Sequence, residues 1–171
     1  HHDLAMQEAN DKTVLGDFDN TTFIYQGVTT TFSRRGDEYW VKTDNESGEL
    51  QDYRVAYVFG VYPLQQLLLP IKNDRLNALS IAWDARNLSE GGQRWYHIYE
   101  DQEPVTSESP LHWTGVYHNW NSRCAECHST NVVKGYDGER RQYTTTYDQI
   151  DVGCEACHGP GSRHVDLATA G

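Results

Sequence analysis

Apolar and polar residues alternate with a period of two along much of the first hundred positions, and beyond that the alternation stops. Thr22–Gln26, Thr29–Arg34 and Glu38–Thr43 are β-branched or aromatic runs. They are separated by Gly27, by Arg35-Gly36-Asp37 and by Asp44-Asn45-Glu46-Ser47-Gly48, so they predict antiparallel strands joined by turns. Tyr53–Phe59, Leu76–Trp83 and Trp95–Tyr99 predict three more strands. Pro63–Leu69 predicts a helical turn or two, with Pro63 at its first position. From Asn121 onward short segments are punctuated by Gly and Pro, and helical turns are expected at Asn121–His128, Tyr147–His158 and Arg163–Ala170. A further helix is expected at the start, where His1-His2-Asp3-Leu4-Ala5-Met6 opens the chain. The expected class is α+β. A mainly antiparallel β subdomain with an N-terminal helical segment occupies 1–120, and a short-helical segment occupies 121–171, the two forming one integrated module. Both ends read as cut.

Composition changes this picture in one respect. The 171 residues suffice for one domain, but 37 % hydrophobic content and a mean hydropathy of −0.74 are lean for a core. Against that stand 5 Trp, 11 Tyr and 4 Phe. A lean aliphatic set with many aromatics suggests that something flat and apolar completes the core. Charge excludes partners: 14 Lys+Arg against 25 Asp+Glu give −11, which argues against nucleic acid and anionic membrane surfaces. Residues 1–120 hold 9 of those bases and 18 of the acids, so the acidity sits on the β part. The apolar stretch around Leu67–Leu69 falls far short of the ~20 residues of a membrane span. Any export signal is expected to have been removed or to lie upstream.

All four cysteines fall in two pieces, SRCAECHSTN and VGCEACHGPGSRHV. Each reads C-x-x-C-H: Cys124, Cys127 and His128, then Cys154, Cys157 and His158. This is the signal for covalent haem attachment. Two thiols on one helical turn reach the two vinyl groups of one porphyrin, and the following imidazole sits under the iron as proximal ligand. A zinc ribbon, a thioredoxin-like pair or two disulfides would use the cysteines. None of them explains a histidine after the second cysteine both times. Two c-type haems are therefore expected, as neighbours, since the motifs start 30 residues apart.

Several stretches together, HHDLAMQ, VLGDFDNTTF, FGVYPLQQLLLP, IAWDARNLSEGGQRWYHIY, SPLHWTG, NWNSRCAECHSTN and CEACHGPGSRHV, resemble the cytochrome module of multihaem c-type cytochromes that often carry tetratricopeptide repeats downstream. The C-x-x-C-H-G-P-G-x-x-H segment is also similar to the tetrahaem electron-transfer cytochromes of nitrification. The resemblance implies an electron carrier working with redox partner proteins, in the periplasm or otherwise outside the cytoplasm. Self-association or neighbouring haem domains are further possibilities it raises. Relatives usually begin with another C-x-x-C-H and a Trp-x-x-Ser-x-His stretch whose histidine binds iron. The chain starts where that stretch ends, which leaves the haem count of the native protein open to a further haem and puts His2 in the ligand position. The alternative for His1 and His2 is a purification tag.

Distal iron ligands are sought among the remaining histidines, and one Met among eight His favours bis-His ligation over Met6. The candidates, in order, are His164, His2, His112 and His118. His164 follows Gly159-Pro160-Gly161, a turn that aims it at a neighbouring haem, as the resemblance implies. His112 and His118 are flanked by Trp113 and Trp120, and each also reads as a core histidine. His97, alternating with Trp95 and Tyr99, reads as core. Arg123, Lys134, Arg140, Arg141 and Arg163 are candidate propionate partners. No catalytic carboxylate pair, Ser-His-Asp set or phosphate loop is present. The expected function is electron transfer rather than catalysis, with haem-dependent reduction of a nitrogen or sulfur oxyanion as the alternative.

Overall fold

The computed structural model describes residues 4–102 and 104–170; His1 and His2, and the ligand role expected for His2, lie outside the described residues. Strand outweighs helix, 37 % to 18 %, in antiparallel sheets with a few short helices, so the class is α+β. Four strands form one meander, β2 (Asp19–Tyr25), β3 (Val28–Arg35), β4 (Glu38–Asp44) and β5 (Leu50–Arg54), in that order. A second sheet runs β1 (Met6–Glu8), β6 (Tyr57–Phe59), β7 (Leu64–Ile71), β9 (Ile81–Asp84) and β10 (Arg94–His97), with β8 (Arg75–Ala78) also paired to β7. Among the described residues no helix is long and apolar enough to cross a membrane.

The differences from the expected elements have local causes. Tyr53–Phe59 is two strands, because the chain changes sheets at Val55–Ala56. The Val55 N–H donates to Tyr39 O in one sheet, and the Ala56 N–H donates to Leu68 O in the other. Leu76–Trp83 likewise splits, since β8 pairs with Leu68–Ile71 and β9 with Leu64 and Gln65 of the same strand. Pro63–Leu69 is not helical. It belongs to β7, which has partners along both edges and is buried on both faces, so its apolar run is continuous instead of periodic. The expected N-terminal helix is absent from Met6–Glu8, which is a strand paired with β6.

The aromatic residues explain how a lean sequence fills a core. Leu67 and Leu69 of β7 join Phe18, Phe32, Tyr39, Tyr53, Trp83, Trp95 and Trp113 in the larger cluster. Phe32 stacks on Trp95 with ring centroids 3.7 Å apart, and Phe18 meets both edge-on. Much of the aromatic excess is therefore spent inside the β part, where no flat group is needed. Leu68, on the other face of β7, enters a smaller cluster with Met6, Ala78, Trp120 and Ala125. That second cluster underlies the first cysteine motif.

Candidate functional site

Each motif closes a single helical turn: α1 (Trp120–Arg123) leads into α2 (Ala125–His128), and α3 (Glu155–His158) repeats α2. The two motifs share their internal bonding. In the first, the N–H groups of Cys127 and His128 both donate to Cys124 O, at 3.1 and 3.0 Å. In the second, those of Cys157 and His158 donate to Cys154 O, at 3.3 and 3.0 Å. One turn of helix thus sets both cysteines and the histidine on adjacent faces, twice. Asn119 caps α1 through the Ser122 N–H, 2.9 Å away.

The first motif is anchored from below. Met6 Sδ accepts from Trp120 Nε1 at 2.9 Å, and Ser129 Oγ points at the same sulfur from 3.8 Å. Met6, considered as an iron ligand, is thus a buried acceptor for the Trp120 indole just before the motif, since the Ser129 hydroxyl hydrogen goes to Ile150 O. Cys124 is half-buried, and burial pushes its thiol pKa up. Cys127, Cys154 and Cys157 are exposed, and all four cysteines are free thiols.

The stretch between the motifs, expected to include helix over Tyr147–His158, is helical only at Glu155–His158. The rest is an antiparallel arm. Thr130 bridges Gln149, Val133 bridges Thr146, and β11 (Tyr136–Asp137) pairs with β12 (Gln142–Tyr143), all in one register. Gly135 lets the arm keep that register: its φ is +58° and a side chain there would strike Thr144 O. The tip lies at 138–141, and the base brings the end of the first motif beside the start of the second.

The remaining histidines divide sharply. His112 is buried with both ring nitrogens engaged, Nε2 with Asp44 Oδ2 at 3.1 Å and Nδ1 with Thr114 Oγ1 at 2.8 Å. His118 is buried with Nε2 against Leu111 O at 3.1 Å, and burial lowers its pKa. His97 stacks on Tyr25, with centroids 3.7 Å apart. His164 lies exposed on α4 (Ser162–Thr169), which follows the Gly-Pro-Gly turn. Of the basic residues, Lys134 pairs with Glu126, Arg140 with Asp137, and Arg123 covers the Tyr117 ring. Arg141 lines a cleft of about 380 Å³ beside α1, together with Arg75, which the sequence did not mark.

The residues fit a covalently held porphyrin. Among the described residues His128 Nδ1 is buried with no hydrogen-bond partner, an orphan of the kind that burial makes costly. From Cys154 to His158 and along α4 every side chain is exposed, including Val165 at 58 % and Leu167 at 68 %. Among the described residues no protein surface covers those apolar groups. A zinc site would need its ligands gathered, and among the described residues no three His, Cys, Asp or Glu side chains converge as a metal site.

Two thiol pairs, each followed directly by a histidine, are thus presented at the edge of a β scaffold. Residues 89–159 match the family described as cytochrome c554 and c-prime, and the match supports a haem-binding electron-transfer cytochrome with haem c as its cofactor. It covers 71 of the 171 residues and runs from the β part through both motifs. No curated protein matches the chain. No solved structure matches it.

Proposed function

We propose that the chain is an electron-transfer module with two covalently attached haems, one on Cys124 and Cys127 and one on Cys154 and Cys157. His128 and His158 serve as proximal ligands. The observation that carries this reading is the repetition of one bonded turn, thiol to thiol to imidazole, at both motifs. When bound, each haem supplies one-electron exchange between ferric and ferrous iron. The chain's own part is to hold the two attachment turns side by side and to set burial and charge around them. Its surplus of acidic residues favours the ferric state. A place outside the cytoplasm, redox proteins as partners and one integrated module over both parts belong to the same reading, as do the suggested kinship with tetrahaem carriers, the downstream repeats and a further haem in the native protein.

Bis-His ligation completes the proposal, with His164 as the distal ligand of the first haem. Support comes from the competing residues: His112 has both ring nitrogens in buried hydrogen bonds, and His118 has Nε2 so placed. His164 is exposed, next to the second motif. The test combines intact mass with electron paramagnetic resonance of the oxidised protein. Two haem masses per chain and two low-spin ferric signals are expected. His164→Ala should turn one signal high-spin and let that haem bind carbon monoxide when reduced. A bare polypeptide mass overturns the reading, and a high-spin signal in the unaltered protein points to an open reductase site instead.

A further inference from the structure

Between His128 and Cys154 the chain runs through 25 residues, yet a side-chain hydroxyl closes that span. Thr130, two positions after His128, is 1 % exposed. Its Oγ1 donates to Asp151 O at 2.9 Å and accepts from the Gly153 N–H at 2.8 Å, one residue before Cys154. Its backbone pairs as well: the Thr130 N–H donates to Gln149 O, and the Asp148 N–H donates to Thr130 O, both at 3.0 Å. Ser129 Oγ donates to Ile150 O at 2.6 Å. Gly153 itself sits where a side chain would run into Gln149 and crowd Thr130 Oγ1. Five hydrogen bonds from two consecutive residues thus fasten the segment 148–153.

We propose that Thr130 is a positioning residue that fixes the spacing and angle between the two cysteine motifs. Without its hydroxyl the base of the arm keeps its strand-type bonds, but nothing holds the Gly153 N–H, the last one before the second motif. The second motif needs that hold more than the first. Cys124 packs on the smaller core cluster, whereas α3 has no buried residue. A group that both donates and accepts is required, which serine supplies and valine does not. The role rests on the proposed function in so far as the motifs carry haems. The clamp itself is a property of the polypeptide.

The test uses the purified holoprotein and compares Thr130→Val with Thr130→Ser. Both variants are expected to attach two haems by intact mass. Hydrogen exchange at the Gly153 amide should be protected in the unaltered protein and about tenfold faster in Thr130→Val. Thr130→Ser should exchange at the parent rate. The gap between the two midpoint potentials, read by spectroelectrochemistry, should change in Thr130→Val and be restored in Thr130→Ser. An unprotected Gly153 amide in the unaltered protein overturns the proposal even if the valine variant does not accumulate. Equal exchange and an equal potential gap in parent and valine variant overturn it too. If the unaltered protein carries no haem, the reading as a cytochrome fails, while the exchange comparison still decides the clamp.

Discussion

His97 shows how much a single buried ring weighs in this molecule. It is 4 % exposed, lies flat on Tyr25 and accepts from the Tyr99 N–H through Nδ1. Burial, with smaller contributions from His118 and His112, pushes its pKa down to about 4 from 6.5. Above pH 6.5 the ring is neutral in both folded and unfolded chains, so stability is at its full value there. As pH falls from 6.5 towards 4 the unfolded chain takes up a proton that the folded chain refuses. Stability should therefore drop across that window, by roughly 3 kcal/mol in all, and level off below it. Urea titrations at pH 7 and pH 4 check this: His97→Phe should remove part of the difference, and buried His118, whose pKa is also lowered, should account for a further part in the same direction. Equal pH slopes in parent and variant would show that the loss arises elsewhere. In the sequence the eight histidines differ little apart from the two that follow a cysteine. What separates His97, His112 and His118 from His164 is burial and hydrogen bonding, and both depend on strands distant in sequence.

At the scale of the element, β7 was the hardest to read and is the most consequential. Its run of leucines carries no alternation because Leu67 and Leu69 face one core and Leu68 the other. A strand with two dry faces resembles a buried helix until its partners are known. The meander β2 to β4 was legible because one of its faces is wet and the turn residues stand between the strands. The cysteine motifs were legible because their chemistry fixes the spacing. The arm between them was not: its pairing is interrupted, and Gly135 and Arg141 take left-handed conformations that no local pattern announced. Leu68→Ala should cost about 3 kcal/mol, read from the guanidinium midpoint. It should also speed amide exchange in α1 and α2, whereas Leu67→Ala should cost a similar amount and leave those amides protected. If both variants loosen α1 and α2 alike, the two cores are not separate.

For the molecule as a whole, the two parts differ in what they need. The β part closes its own aromatic core, so a flat prosthetic group is expected to complete the packing at the two cysteine motifs and along α4 instead. A haem-free protein with all four cysteines changed to serine should keep a cooperative melt of the sheets. Brief proteolysis should cut it between 154 and 170 while leaving 4–130 intact; uniform digestion would show that the sheets too depend on haem. The folded-back arm has a separate consequence, for length. Because the bridges from Thr130–Gln149 to Asp137–Gln142 share one register, residues added at the 138–141 tip lengthen the chain without moving its base. The number of residues between the motifs is therefore free to drift among descendants of this sequence, while a single insertion within either limb would turn every following side chain to the opposite face. Separation along the chain and separation in space are uncoupled here, so kin of this molecule should vary most in length at the tip and keep their attachment turns the same distance apart.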